Sequence, residues 1–134
     1  MSLADLRPAL RAYLLADAAI SSVVGGVRVH PVILPQGETR ASLVYNLVSE
    51  VNDHHTQGAS GLVMARIQID AWAGLADTAD SLARLVKERI DGYRGLMGAV
   101  QIQGVFAETA FTSYEDDPKL FRVGRDYLIH FEER

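Results

Sequence analysis

The sequence predicts an α+β fold: a mostly antiparallel sheet of four to five strands with helices packed on one face, in the order α-β-β-β-α-β-β. Three observations lead there. Two pairs of segments alternate apolar and polar residues with the period of a strand. One segment between the pairs repeats its apolar residues with the period of a helix. Another helical pattern opens the chain. At 134 residues, with 49% hydrophobic and 22% charged positions, the chain suits a single domain, residues 1–134, with a core large enough to need no staples.

Each element follows in order. Leu6, Leu10, Tyr13 and Leu14 share one helical face. Asp5 is the expected N-cap, which would place Pro8 in the first turn, where proline is tolerated. A short helix is expected from Ala18 to Val24, stopped by Gly25-Gly26. Val27 to His30 is a short strand candidate ended by Pro31, and residues 31–40 are an ordered loop. Ala41 to Val51 and Leu62 to Trp72 form an expected hairpin. The polar, glycine-bearing stretch Asn52 to Gly61 between them is expected as a ten-residue loop, long for its type. In the second strand, Val63, Ala65, Ile67, Ile69 and Ala71 face the core, opposite Arg66, Gln68 and Asp70.

Leu75 to Ile90 is the clearest helix, with Leu75, Ala79, Leu82, Val86 and Ile90 as its stripe. Asp80 with Arg84 and Lys87 with Asp91 are expected as i,i+4 pairs on the wet side. Gly92 suits the position after the helix, and Gly95 and Gly98 suit a turn. Ala99 to Phe106 alternates with Gln101 and Gln103, and the phase slips near Glu108, which predicts a bulge before Phe111. Asp116-Asp117-Pro118 is a turn. Leu120 to Phe131 closes the sheet, with Phe121, Val123, Tyr127, Ile129 and Phe131 inward.

Several function classes are disfavoured. There is no cysteine, so disulfides and thiolate metal sites are excluded. The opening residues lack the basic-then-apolar pattern of a signal peptide, and no apolar run approaches the ~20 residues that span a bilayer. The protein is therefore expected to stay in the cytoplasm unless it leaves inside a particle. The net charge is −4 with no basic cluster, which argues against gripping DNA, because such affinity comes largely from neutralised phosphates.

Candidate chemistry is thin. Asp53-His54-His55 is the most tempting cluster, but adjacent histidines rarely converge on one ion and no zinc-type spacing is present. A small hydrolase using His54 or His55 ranks last. Gly58-Ala59-Ser60-Gly61 lacks a residue of the nucleophile-elbow pattern and joins two strands. Glu115-Asp116-Asp117 reads as a solvated hairpin tip. No catalytic, metal-binding or cofactor-binding residues are assigned. The candidate contact residues are Asp53, His54, His55 and Gln57 on the loop, with Arg66, Gln68, Asp70, Gln101 and Gln103 on the sheet's other face. Trp72 and Leu128 share that face's parity, and apolar residues there suggest a partner surface.

The opening Leu3 to Gly26, Leu34-Pro35-Gln36-Gly37 with Leu43-Val44-Tyr45, and Asp53-His54-His55, Gly58 and Gly61 form part of a pattern that runs along nearly the whole chain and resembles the tail-completion family of siphophages, the tail-terminator proteins. Arg66-Ile67-Gln68-Ile69-Asp70-Ala71-Trp72-Ala73 is the most telling stretch, and the Tyr114-Glu115 to Phe121-Arg122-Val123 hairpin completes the pattern. These are scaffold motifs. The resemblance implies a structural subunit without cofactor that forms a homo-hexameric ring on the head-proximal end of the tail tube. It would stop tube polymerisation, meet the major tail tube protein on one side and a head-completion connector on the other, and let DNA pass unheld, at no membrane. A body of this size has a radius of gyration near 14 Å, so six in a ring leave a hole on the order of 35 Å. The alternatives are a head-closure (neck) protein and a ferredoxin-like ligand-binding domain.

Overall fold

A computed structural model gives the architecture. It describes the backbone of residues 3–55, 58–116 and 119–132, and the side chains of 6–51, 62–116 and 119–132. The element order is α1 (Leu3–Leu15), α2 (Ala18–Val23), β1 (Val29–Pro31), β2 (Ser42–His55), β3 (Gly58–Ala73), α3 (Ala76–Ile90), β4 (Gly95–Met97), β5 (Val100–Glu115) and β6 (Leu120–Glu132). The six strands form one sheet in the order β1-β2-β3-β6-β5-β4.

The α+β class is as expected, but the sheet has six strands rather than four or five. The additional strand is β4, where Gly95 and Gly98 were expected to make only a turn. It pairs Gly95, Leu96 and Met97 with Ile102, Gln101 and Val100. Three residues are too few to show a period of two. The sheet is antiparallel except at one edge, where β1 runs parallel to β2.

Packing explains the elements. Leu6, Leu10 and Leu14 of α1, Ile20 of α2, and Leu82, Val86 and Ile90 of α3 are fully buried, on the same core as Val63, Ala65, Ile67, Tyr127, Ile129 and Phe131 of the sheet. Two polar ties hold the helices in place. Arg89 of α3 donates to the Tyr13 carbonyl at 3.1 Å and its guanidinium lies 3.7 Å from the Tyr13 ring centre. Arg11 of α1 donates to the carbonyls of Val29 at 2.9 Å and Val27 at 3.1 Å, fixing β1 beneath the helix.

Helix ends correct two readings. α1 begins at Leu3, so Asp5 lies inside it and Pro8 sits beyond the first turn. The N-cap residue of the region is Asp17, whose carboxylate accepts from the N–H groups of Ala19 and Ile20 at 2.9 and 3.2 Å. At the end of α3, Asp91 is the C-cap, and its carboxylate accepts from the Ala107 N–H at 2.9 Å. The Gly92 N–H donates to the Val105 carbonyl at 2.8 Å, so the end of α3 covers β5 just above β4. Gly25 and Gly26 adopt φ of +64° and +77°, stopping α2 as expected.

The expected ten-residue loop is strand instead. β2 continues to His55 and β3 starts at Gly58, with His55 opposite Gly58. A polar run hides a strand from hydrophobic patterning, yet its backbone still pairs. The bulge expected near Glu108 is present as a register shift between Ala107 and Ala110. Another shift falls between Ile102 and Gly104, and one in β2 between Leu47 and Ser49.

Candidate interaction surface

Strand parity divides the sheet. Rows such as Leu47–Ile67–Tyr127–Ala107 face the helices. The next row, Arg66–Leu128–Phe106, faces the other way. Among the described residues no helix covers that side, so its polar groups must satisfy one another or water.

They satisfy one another in two clusters. In the first, the Arg66 guanidinium meets Glu108 at 2.6 Å and Asp126 at 3.6 Å. In the second, Arg122 meets Asp70 at 2.8 Å and Glu115 at 3.8 Å, while the Gln68 amide donates to Asp70 at 3.0 Å. The Arg122 guanidinium also lies 5.4 Å from the Trp72 ring centre and 5.0 Å from that of Phe111, close enough for cation–π attraction. Burial pushes the Asp70 carboxyl up, and the Arg122 charge opposes that push. The two arginines face four carboxylates, so the lattice is acidic on balance.

Gly124 makes the second cluster possible. A Cβ there would come within 2.4 Å of the Asp70 carboxylate and 2.5 Å of the Phe111 ring. The bare backbone lets Asp70 on one neighbouring strand and Phe111 on the other close over the same spot. Phe106 likewise lies over Gly104 and meets the His130 ring edge-on at 5.4 Å.

The sequence-named residues divide cleanly. Arg66, Gln68 and Asp70 lie together at the centre of this face; Gln68 and Arg66 are half-buried and Asp70 is buried. The expectation of an exposed face is corrected at Asp70, which is buried, and both Arg66 and Asp70 are held in ion pairs. Gln101 and Gln103 are half-buried on β5, away from the ion pairs, and Gln103 lies at the Ile102/Gly104 register shift. Gln103 joins Val51, Leu62, Met64, His130 and Glu132 around a groove of about 530 Å³. Asp53, His54 and His55 are corrected from loop to strand backbone, because His54 and His55 pair with Ala59 and Gly58 of β3 and Asp53 lies at the register shift just before them; Gln57 lies outside the described residues. Leu128 sits in the Arg66 row, as its parity implied. Sequence reasoning missed Glu108, Arg122 and Asp126, which complete the lattice. The strand pattern places Arg122 and Asp126 on this face by parity, but nothing in a single sequence shows that β6 lies beside β3. Glu108 was hidden by the bulge itself.

A second hollow, about 410 Å³, lies where residues 32–37 border Val44, Asp70, Trp72 and Arg122. Among the described residues, no three His, Asp or Glu side chains are grouped to hold a metal ion. No described helix is long and apolar enough to cross a membrane.

Comparison with known proteins follows the fold closely. A family model described as tail completion protein gp17 matches residues 8–132. No curated protein matches the chain. Among solved structures, a chain from "Virion of native gene transfer agent (GTA) particle" is similar with a TM-score of 0.73 and 19% identity, over 95% of this chain and 94% of that one.

Proposed function

This chain belongs to the tail completion protein gp17 family, and on that premise we propose that it is a structural virion protein that caps the head-proximal end of a phage-type tail tube. Six copies form a ring, end tube polymerisation and offer the surface on which the head connector docks. It works by geometry and uses no cofactor. Its partners are other copies of itself, the major tail tube protein and the head-completion protein. DNA passes through the ring without specific binding. The protein acts at the head–tail junction of the particle, after assembly in the host cytoplasm.

The observation that carries this reading is the extent of the family match, 125 residues from 8 to 132, on one sheet-and-helix body. The acidic balance of the open face suits a passage for DNA, since counterion release rewards retention only at basic surfaces. The test is deletion of the gene in a producing strain, with electron microscopy of the particles. Overlong or uncapped tails, restored to normal length by the wild-type gene, are expected. Tails of normal length beside leaking heads would transfer the protein to the neck.

A further inference from the structure

The six-fold ring needs a heterologous contact, with one patch on each copy and a different patch on its neighbour. The inference below rests on that reading and assigns the two patches. We infer that the two lateral edges of the sheet are stepped in opposite senses and interlock, so that neighbouring copies join edge to edge into one continuous sheet around the ring.

The steps follow from the strand register. At one edge, β4 covers only Val100–Ile102 of β5, and the end of α3 covers Val105 and Ala107. From Glu108 to Glu115, no strand lies beside β5 among the described residues. At the other edge, β1 covers only Leu43–Tyr45 of β2. From Asn46 to His55, no strand lies beside β2 among the described residues.

These bare stretches lie at opposite ends of the strands. One row of partners runs Pro31–Tyr45–Ile69–Arg125–Ala110. It therefore puts β1 at the height of the bare part of β5. A second row runs Asn52–Val63–Phe131–Ile102–Gly95. It puts β4 at the height of the bare part of β2. Set side by side without vertical offset, β1 of one copy fills the notch beside β5 of the next, and β4 of that copy fills the notch beside β2 of the first.

Strand direction agrees. β1 and β2 run one way with β4 and β6, and β3 and β5 run the other. The new β5·β1 contact is antiparallel and the β4·β2 contact is parallel, both permitted ladders. Composition agrees on the β5 side, while β1 offers one ladder donor fewer at Pro31. Residues 108–115 of β5 read Glu-Thr-Ala-Phe-Thr-Ser-Tyr-Glu, without the Lys or Pro by which solitary sheets protect an exposed edge. Exposed apolar side chains sit at both steps: Leu96, Phe111 and Tyr114 on one, and Ile33, Val48 and Val51 on the other.

The geometry closes at a sensible size. With β1 and β4 sharing a column, each copy contributes five columns at about 4.8 Å, or about 24 Å of circumference. Six copies give a sheet cylinder of radius about 23 Å, and about 5 Å of side chain leaves an opening of about 36 Å. The steps fit only if the strands run nearly along the ring axis. The helix layer is the bulkier, so it takes the outer circumference and the Arg66–Arg122 face turns toward the axis.

Because the chain has no cysteine, paired substitutions give a clean test. Pro31→Cys and Ala110→Cys are both at exposed positions on the same row. Facing residues in a ladder stand about 4.5–5.5 Å apart at Cβ, within reach of a disulfide or a short thiol linker. Tails from a deletion strain are incubated with purified protein, oxidised and run on denaturing gels. The double variant is expected to give a ladder ending at six. A mixture of the two single variants gives dimers only, and either single variant alone gives none. Thr112→Lys, also on the bare edge, is expected to keep its melting temperature and circular dichroism but lose capping.

Cross-linking of Ala110→Cys with itself would overturn the inference, as would normal capping by the double variant without any cross-link. Either result leaves the terminator reading intact. That reading falls separately, if tails in the deletion strain have normal length without the protein.

Discussion

Single residues show where burial overrides sequence character. His30 reads as an unremarkable strand residue, yet its Nε2 is buried and has no hydrogen-bond partner among the described residues. Burial holds its imidazole below the usual histidine range, aided by the charges of Arg11 and Arg28 and opposed by Glu38. The folded state thus takes up its proton later than the unfolded chain as pH falls. The neutral ring contributes stability above the unfolded value near 6.5, and that contribution is lost as pH falls from there toward the lowered folded value. We expect urea unfolding of the wild type to show a shrinking free energy between pH 7 and 5. His30→Gln should flatten that slope, and identical slopes in the two proteins would show that His30 has no part in it. Gly124 is a second such residue. Its role as the bare spot beneath Asp70 and Phe111 was invisible in the sequence, because the closeness depends on three strands meeting.

Elements were legible where a period could be counted. The stripe of Leu75, Ala79, Leu82, Val86 and Ile90 marked α3; the last four are buried, whereas Leu75 is the N-cap residue and is exposed. The alternation of Val63 to Ala71 marked the core face of β3. Period fails at short or polar segments, which is why β4 was missed and residues 53–55 were taken as loop. Chain order also fails to give strand order. The two hairpins, β2·β3 and β5·β6, meet through the β3·β6 ladder of twelve residue pairs, a contact that no local pattern announces. The six-residue helix α2 is too short to hold itself together and depends on its ends. Asp17 accepts from two of its free N–H groups, and the other end is closed by left-handed glycines. Asp17→Ala is expected to cost about 1 kcal/mol, the usual loss for an N-cap. Chemical denaturation at constant m-value measures it. A loss below about 0.3 kcal/mol would mean that Ile20 packing alone holds the helix against the core.

At the scale of the whole molecule, the sign of charge on one face would decide how the proposed ring treats DNA. The open face pairs Arg66 and Arg122 with Glu108, Asp126, Asp70 and Glu115, and the chain as a whole carries −4. Each guanidinium already has carboxylate partners, so a phosphate would have to displace them. On the proposed ring, a passing duplex would therefore release few counterions and would not be retained. Glu108 and Glu115 lie on β5, each half-exposed, so lysine is tolerated there sterically. The variant Glu108→Lys/Glu115→Lys moves the chain by four charges, from −4 to 0, and frees Arg66 and Arg122 from one partner each. In a six-fold ring the same change is repeated six times around one passage, where phosphate contacts add. Gel-shift titration with a short duplex is expected to show no complex for the wild type at ordinary salt. The variant should form a complex that weakens steeply as salt rises, with a slope of about −0.9 per phosphate contacted. A wild-type protein that already binds the duplex with that salt dependence would mean the acidic face lies elsewhere than on the DNA path, and that a basic surface formed only by assembly lines the passage.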